Sequence, residues 1–398
     1  MVRALLYLPD DGAHRVAASA VSGRTLTVRV LVAALRAGAS QISVPSTLRD
    51  RAVDRALQRM PALAQGVRWL SPGEDAPGDD PTPWLLLPAS SLIHVSALGG
   101  LLSPPAPPQG AVLAPSADGP APVAVAPAPV VAALWKDLAA GRPVGPELAR
   151  CLRAAGAVLR EAAGPHAPVR DESDLPRAEA ALWTTLGIAA DSGVDRYLHR
   201  RCSRWITRLL LRTAVTPNQV SLSSLAIGLG AIWCFWHGTP ATALGGVVLY
   251  ALASIVDHSD GELARLTFQE SRFGANLDWA IDTIIHAGIV LGMSLTTAGP
   301  LMRAVGALAA AGVILSALFA RHLPREIEVG PTVGGVLRNI ANRDLFYLLL
   351  LSFAALRWLA PSFAGVVPVV VAVGSQVYWM GCIARIRRMA RADGRAPR

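Results

Sequence analysis

Lysine is almost missing: Lys136 is the only one, so arginine carries nearly all of the formal net charge of +9. The arginines sit beside apolar blocks rather than alternating with aromatics along a polar face, which argues for a membrane surface and against a nucleic-acid partner. Cysteine is also scarce. Cys151, Cys202, Cys234 and Cys382 lie far apart, with neither a zinc spacing nor a disulfide framework, and they suit a reducing compartment. Charged residues make up only 16% of a chain of 398 residues, against 52% hydrophobic, which excludes a purely soluble protein. At the N-terminus, MVRALLYLPDD reaches acidic residues after a very short apolar stretch. No signal peptide is therefore expected, and the first half should stay in the cytoplasm.

Long apolar sequence begins after Thr216. Six blocks, near 218–237, 240–260, 277–298, 300–320, 344–360 and 363–384, reach the roughly 20 residues that a hydrocarbon core of about 30 Å requires. Arg321, Arg325, Arg338 and Arg343 separate the fourth block from the fifth, and Arg385, Arg387, Arg388 and Arg391 follow the sixth. By the positive-inside rule these stretches face the cytoplasm, and both termini with them. The opposite turns, at His237–Pro240, Thr297–Pro300 and Pro361–Ser362, are short and nearly uncharged. Ahead of the first block, residues 191–215 set Leu198, Trp205, Ile206, Leu209 and Leu210 against Arg200, Arg201, Arg204, Arg208 and Arg212. This predicts an amphipathic helix in the membrane interface, or else a helix packed on a soluble domain. Thr216-Pro217-Asn218 ends it and opens the first span.

Residues 1–190 alternate between strand and helix patterns. Ala4–Leu8, Gln41–Val44 and Trp84–Leu87 read as strands and Leu26–Ala37 as a helix, a rhythm that suggests a parallel α/β sheet. The Pro-, Ala- and Gly-dense segment 103–129 is compatible with a loose insertion or with short strands broken by turns.

The chemistry concentrates between residues 257 and 282. Helical periodicity puts Asp257, Asp260, Gly261 and Ala264 on one face of the second span, and Asp278 and Asp282 on one face of the third. Consecutive antiparallel helices can bring these faces together. Four carboxylates so close would repel one another and would be costly at a lipid boundary, so a divalent cation is their natural partner. Oxygen ligands favour Mg²⁺ or Mn²⁺. Gly261, Ala264 and Gly274 leave space beside the acids, and Arg265 can fork onto a phosphate. The combination points to phosphoryl-type transfer. The plainer alternative is helix capping with salt bridges to Arg265 and Arg272.

These residues match every fixed position of D-x2-D-G-x2-A-R-x8-G-x3-D-x3-D, so residues 195–390 resemble the CDP-alcohol phosphotransferase family. A chance match to eight fixed positions is on the order of one in ten million. The resemblance implies an α-helical membrane domain of six transmembrane helices, 216–398, a dimetal site facing the cytoplasm, and a homodimer. It implies that Asp257, Asp260, Asp278 and Asp282 hold two Mg²⁺ or Mn²⁺ ions, with Asp282 also the general base. Asp260, Gly261, Ala264, Arg265 and Gly274 then shape the CDP-alcohol pocket. Arg338 and Arg343 stand where family members that use inositol phosphate bind the acceptor phosphate; positive-inside topology alone would also put arginines there.

The first half resembles nucleotidyltransferases that make CDP-activated alcohols, which in inositol-phosphate enzymes are fused ahead of this membrane domain. Where that family has a Gly-rich phosphate loop, the chain reads Leu8-Pro9-Asp10-Asp11-Gly12-Ala13-His14-Arg15. Asp11 and Ala13 replace two glycines, Arg24 stands for a lysine, and Pro88-Ala89-Ser90 stands where a metal-binding Asp is expected. An inactive transferase fold is the expectation. The expected function is metal-dependent transfer from a CDP-alcohol to an acceptor alcohol, in phospholipid or inositol-phosphodiester synthesis. A bifunctional cytidylyltransferase–phosphotransferase and a non-catalytic membrane scaffold or transporter are the alternatives. Damage to the four acids would favour the last of these, and all four are intact.

Overall fold

A computed structural model of the chain describes residues 2–76, 82–102, 107–114, 121–187, 193–297, 299–322 and 343–392. It divides into two compact units, Met1–Leu186 and Gly187–Arg398.

The first unit is built on a seven-stranded sheet. Its strands in chain order are β1 (Val2–Tyr7), β2 (Ala39–Pro45), β3 (Val67–Leu70), β4 (Trp84–Pro88), β5 (Ala111–Ala114), β6 (Ala124–Ala126) and β7 (Val158–Glu161), arranged β7-β5-β6-β4-β1-β2-β3. Strands β1, β2, β3 and β4 run parallel, with Ala4 opposite Ile42 on one side and Leu85 on the other. Both faces of β1 are covered, which is why Ala4 to Tyr7 form an unbroken apolar run with no accessible surface. The sheet is mixed, not purely parallel as the sequence rhythm suggests, because β6 enters antiparallel between β4 and β5. This strand comes from the Pro-rich segment, too short to show a period of its own.

Between β1 and β2 lie a short helix α1 (Ala13–Ala17) and a longer helix α2 (Leu26–Arg36). Thr25 caps α2 by accepting from Val28 N–H. Arg29 on α2 is buried and donates from Nε (2.9 Å) and Nη2 (2.7 Å) to the Val21 carbonyl. Burial pulls its pKa down to about 9, with the neighbouring Arg24 adding to the effect. It holds a turn in which Ser22 adopts φ 44°.

The second unit is helical. Helix α3 (Arg200–Leu210) precedes α4 (Pro217–His237), α5 (Pro240–Thr267), α6 (Arg272–Leu295), α7 (Pro300–Ala320), α8 (Arg343–Leu359) and α9 (Val366–Ala392). Among the described residues, five segments, α4 to α7 and Pro361–Arg388, are long and apolar enough to cross a membrane. Helix α8 is described for 17 residues. Thr216 opens α4 with a capping box to Gln219, and Thr239 and Ser271 cap α5 and α6. Close packing of α4 on α6 uses the absence of a side chain at Gly228, against Ile285, and at Gly288, against Ile232.

Helix α3 is amphipathic with its polar side turned inward. Arg200, Ser203 and Thr207 are buried, whereas Trp205 is 65% and Leu209 46% exposed. The inward face serves Glu262 of α5, a carboxylate with no accessible surface. Ser203 Oγ (2.9 Å) and Thr207 Oγ1 (2.8 Å) donate to it, and Arg200 Nη1 pairs with it at 3.2 Å. Arg200 therefore does not belong with the outward arginines, as the helical pattern of the sequence suggested; Arg201 and Arg208 are exposed.

Candidate active site

Helix α5 ends and α6 begins across four residues, Phe268 to Ser271. Phe268 takes the left-handed conformation (φ 58°) and returns its N–H to the Ala264 carbonyl, an uncommon cap for a bulky residue. The tight reversal sets the last turns of α5 beside the first turns of α6. Asp257, Asp260 and Asp278 consequently converge, each offering a carboxylate oxygen within 4.8 Å of the others. Asp260 is buried and accepts from the Ser221 hydroxyl of α4; Asp257 and Asp278 are half-buried.

Asp282 lies one turn further along α6 and is more open than Asp257, with 41% of its side chain exposed against 12%. It faces a cavity of about 580 Å³ whose lining includes His286, Ser316, Arg343, Phe346 and Tyr378. His286 is anchored below it: Nδ1 donates to the Asp282 carbonyl at 2.6 Å, leaving Nε2 to accept from the Tyr250 hydroxyl at 2.9 Å.

Gly261 and Gly274 lie close against polar side chains. A Cβ at Gly261 would press within 3.3 Å of the Arg265 guanidinium, and one at Gly274 would lie 3.2 Å from Asn218 Oδ1 and Ser271 Oγ. Ala264 and Arg265 are half-buried on the same stretch of α5. Among the described residues the acids' ion-pair partners are Arg343 and His258, not Arg265 or Arg272. Arg343 Nη2 lies 3.6 Å from Asp282 and 3.7 Å from Asp257, and His258 Nδ1 4.0 Å from Asp257. Arg338 lies outside the described residues.

No sequence motif marks Ser221, Glu262 or a second polar cluster, Asp195, His199 and His258, whose ligand-type atoms also lie within 4.8 Å of one another. Asp195 is buried, which would raise its pKa. Hydrogen bonds from His199 and His258 and the Arg343 charge outweigh that cost and hold the carboxyl far below its usual range. The one sequence signal was the i, i+4 spacing of Asp195 and His199.

The first unit holds a different arrangement where the phosphate loop would be. Gly12 has φ −79°, Ala13 is buried, and α1 is five residues long. A cavity of about 780 Å³ there is lined by Asp11, Gly12, Arg15, Arg170, Asp171 and Glu172 among others, so carboxylates and guanidinia share it. At the end of β4, Ala89 and Ser90 are buried.

Residues 214–380, within the second unit, match the model of the CDP-alcohol phosphatidyltransferase family. A "Bifunctional IPC transferase and DIPP synthase" of Rubrobacter xylanophilus is 38% identical over 154 residues, 39% of this chain and 35% of that protein. An "Archaetidylinositol phosphate synthase" of Pyrococcus horikoshii is 36% identical over 90 residues, 23% of this chain and 46% of that protein. The chain thus spans about a third to a half of the length of these curated relatives. The crystal structure of Mycobacterium tuberculosis phosphatidylinositol phosphate synthase with CDP-DAG bound is 20% identical at a TM-score of 0.37, covering 47% of this chain and 92% of that one.

Proposed function

We propose that the chain is an integral membrane enzyme that transfers a phosphoalcohol group from a CDP-alcohol to an acceptor alcohol and releases CMP. The observation that carries this reading is the convergence of Asp257, Asp260 and Asp278, with Asp282 next to them at a cavity. An all-oxygen donor set with one arginine among four acids leaves charge to be balanced, which suits two Mg²⁺ or Mn²⁺ ions. Asp257, Asp260, Asp278 and one oxygen of Asp282 would hold them. Such ions, when bound, neutralise the donor diphosphate and ease the departure of CMP.

Asp282 takes the proton of the acceptor hydroxyl. The oxygen then attacks the phosphorus bearing the donor alcohol, the bond from that phosphorus to the CMP oxygen breaks, and the proton passes from Asp282 to solvent. Gly261, Ala264 and Gly274 leave room for the nucleotide, and Arg265 receives its phosphate. Arg343, and Arg338 by its place in the sequence, receive an anionic group on the acceptor. The names of the relatives make inositol phosphate the first acceptor to try, in inositol-phosphodiester or phospholipid synthesis.

In this reading α4 to α9 make six spans, with α3 in the interface and the acid site toward the cytoplasm. Support comes from Arg321 after α7 and the arginines in the last turns of α9, and from exposed Trp233, Trp236 and Trp358 at the opposite ends of their helices and Phe363 in the turn between α8 and α9. A homodimer, a soluble domain 1–190 and a lead-in helix 191–215 belong to the same proposal.

Asp282→Asn is expected to bind CDP-alcohol as the wild type does while CMP release falls about 10²- to 10⁴-fold, the usual worth of a general base. Calorimetry and a CMP assay on the purified full chain check this; loss of binding with turnover preserved would reverse the assignments. The first unit is nucleotidyltransferase-like and makes no CDP-alcohol. The full chain, given CTP, Mg²⁺ and inositol phosphate, should release no pyrophosphate above a heat-treated control. Catalytic release would instead make the protein bifunctional.

A further inference from the structure

Twenty-one residues separate Asp195 from Pro217, the first residue of the nearest candidate span, α4, yet its side chain reaches the arginine of the site. Asp195 Oδ1 accepts from His199 Nδ1 at 2.8 Å and lies 3.2 Å from Arg343 Nη1 and 3.3 Å from His258 Nε2. With Nδ1 donating, His199 Nε2 accepts from the Tyr347 hydroxyl at 3.0 Å, and its ring meets that of His258 edge to face. Asp344, next to Arg343, accepts the backbone N–H groups of Gly193 (2.8 Å) and Val194 (2.9 Å). Arg343 and Asp344 thus grip one segment from two sides. That segment continues as a π-helical turn, Asp195–His199, a form that recurs at functional sites.

Asp195, His199 and Tyr347 are all buried, and apolar packing of the same volume would hold two helices together at lower desolvation cost. What the polar network adds is the placement of one guanidinium. Arg343 is drawn by Asp195 on its Nη1 side, while Nη2 stands 3.6 and 3.7 Å from Asp282 and Asp257, at ion-pair but not hydrogen-bond distance. Without Asp195, the same cation would settle on those two carboxylates.

We propose that Asp195 is a positioning residue for acceptor recognition: backed by His199 and Tyr347, it keeps Arg343 off the catalytic acids and turned to receive the phosphate of a phosphorylated acceptor. The inference rests on the phosphotransferase reading and on Arg343 as the anion-binding group.

The test is calorimetry on the purified full chain with Mg²⁺ and CMP, titrating inositol phosphate and, separately, myo-inositol. Asp195→Asn is expected to weaken inositol phosphate binding about 10- to 100-fold, as loss of a group orienting a ligand-binding residue typically does. Binding of CMP and of myo-inositol should stay unchanged. Tyr347→Phe, which removes only the hydroxyl behind His199, should act in the same direction by a few-fold, and it serves as the test if Asp195→Asn does not fold. Adding Asp195→Asn to Arg343→Gln should produce no further loss. Wild-type affinity for inositol phosphate in Asp195→Asn, with Arg343→Gln weakened, would overturn the positioning role alone. A parallel fall in CMP affinity would reduce Asp195 to a structural part. Undiminished binding in Arg343→Gln would sink the anion-site reading, and this inference with it.

Discussion

Asp278→Asn is expected to lower CMP release at least about 10³-fold, and excess EDTA should abolish release by the wild type, with Mg²⁺ or Mn²⁺ restoring it. The size follows from the geometry. Asp278 is the only member of the converging trio supplied by α6, the other two standing on α5. Its amide would keep the volume but remove the charge that bridges the two helices, leaving Asp257 and Asp260 as a lopsided site. Metal-dependent binding of CDP-alcohol should fall with turnover, which separates this variant from Asp282→Asn. Calorimetry with and without Mg²⁺ checks the binding, and a CMP assay the turnover. Undiminished turnover in EDTA would end the metal mechanism.

Glu262→Ala is expected to destabilise the second unit by about 3–5 kcal/mol, the cost of stripping one partner from a buried ion pair. Arg200, with 9% of its side chain exposed, would lose the Glu262 carboxylate, and Ser203 and Thr207 would lose the acceptor they share. Glu262→Gln should cost less, since its amide oxygen still accepts from one of the two hydroxyls, which donate to different oxygens of the carboxylate. Thermal unfolding of the detergent-purified protein, followed by tryptophan fluorescence, should rank wild type above Gln above Ala. Equal midpoints for all three would mean that the network adds nothing to stability.

The acid motif was legible because its geometry is local: i, i+3 and i, i+4 spacings on two consecutive helices joined by four residues leave little freedom in where Asp257, Asp260 and Asp278 can go. The long apolar blocks were legible for the same reason, since hydropathy integrates over a whole span. The network around Asp195 was not, because it joins residues 148 positions apart in the chain. Nor could the inward polar face of α3 be read, since a helical pattern shows that two faces differ without saying which is covered. That depended on Glu262, which a linear motif leaves as an unspecified position between Gly261 and Ala264. In the first unit, β6 escaped because three residues in a Pro-rich stretch carry no periodicity, so the sheet's direction there is decided by its neighbours.

The tight link between α5 and α6 also orders events during biogenesis. A chain made from its N-terminus completes the helical hairpin carrying all four acids before Arg343 has been synthesised. For that interval the carboxylates stand together without the guanidinium that later pairs with Asp257 and Asp282. Protons or a cation drawn from solution must carry their mutual repulsion until α8 arrives.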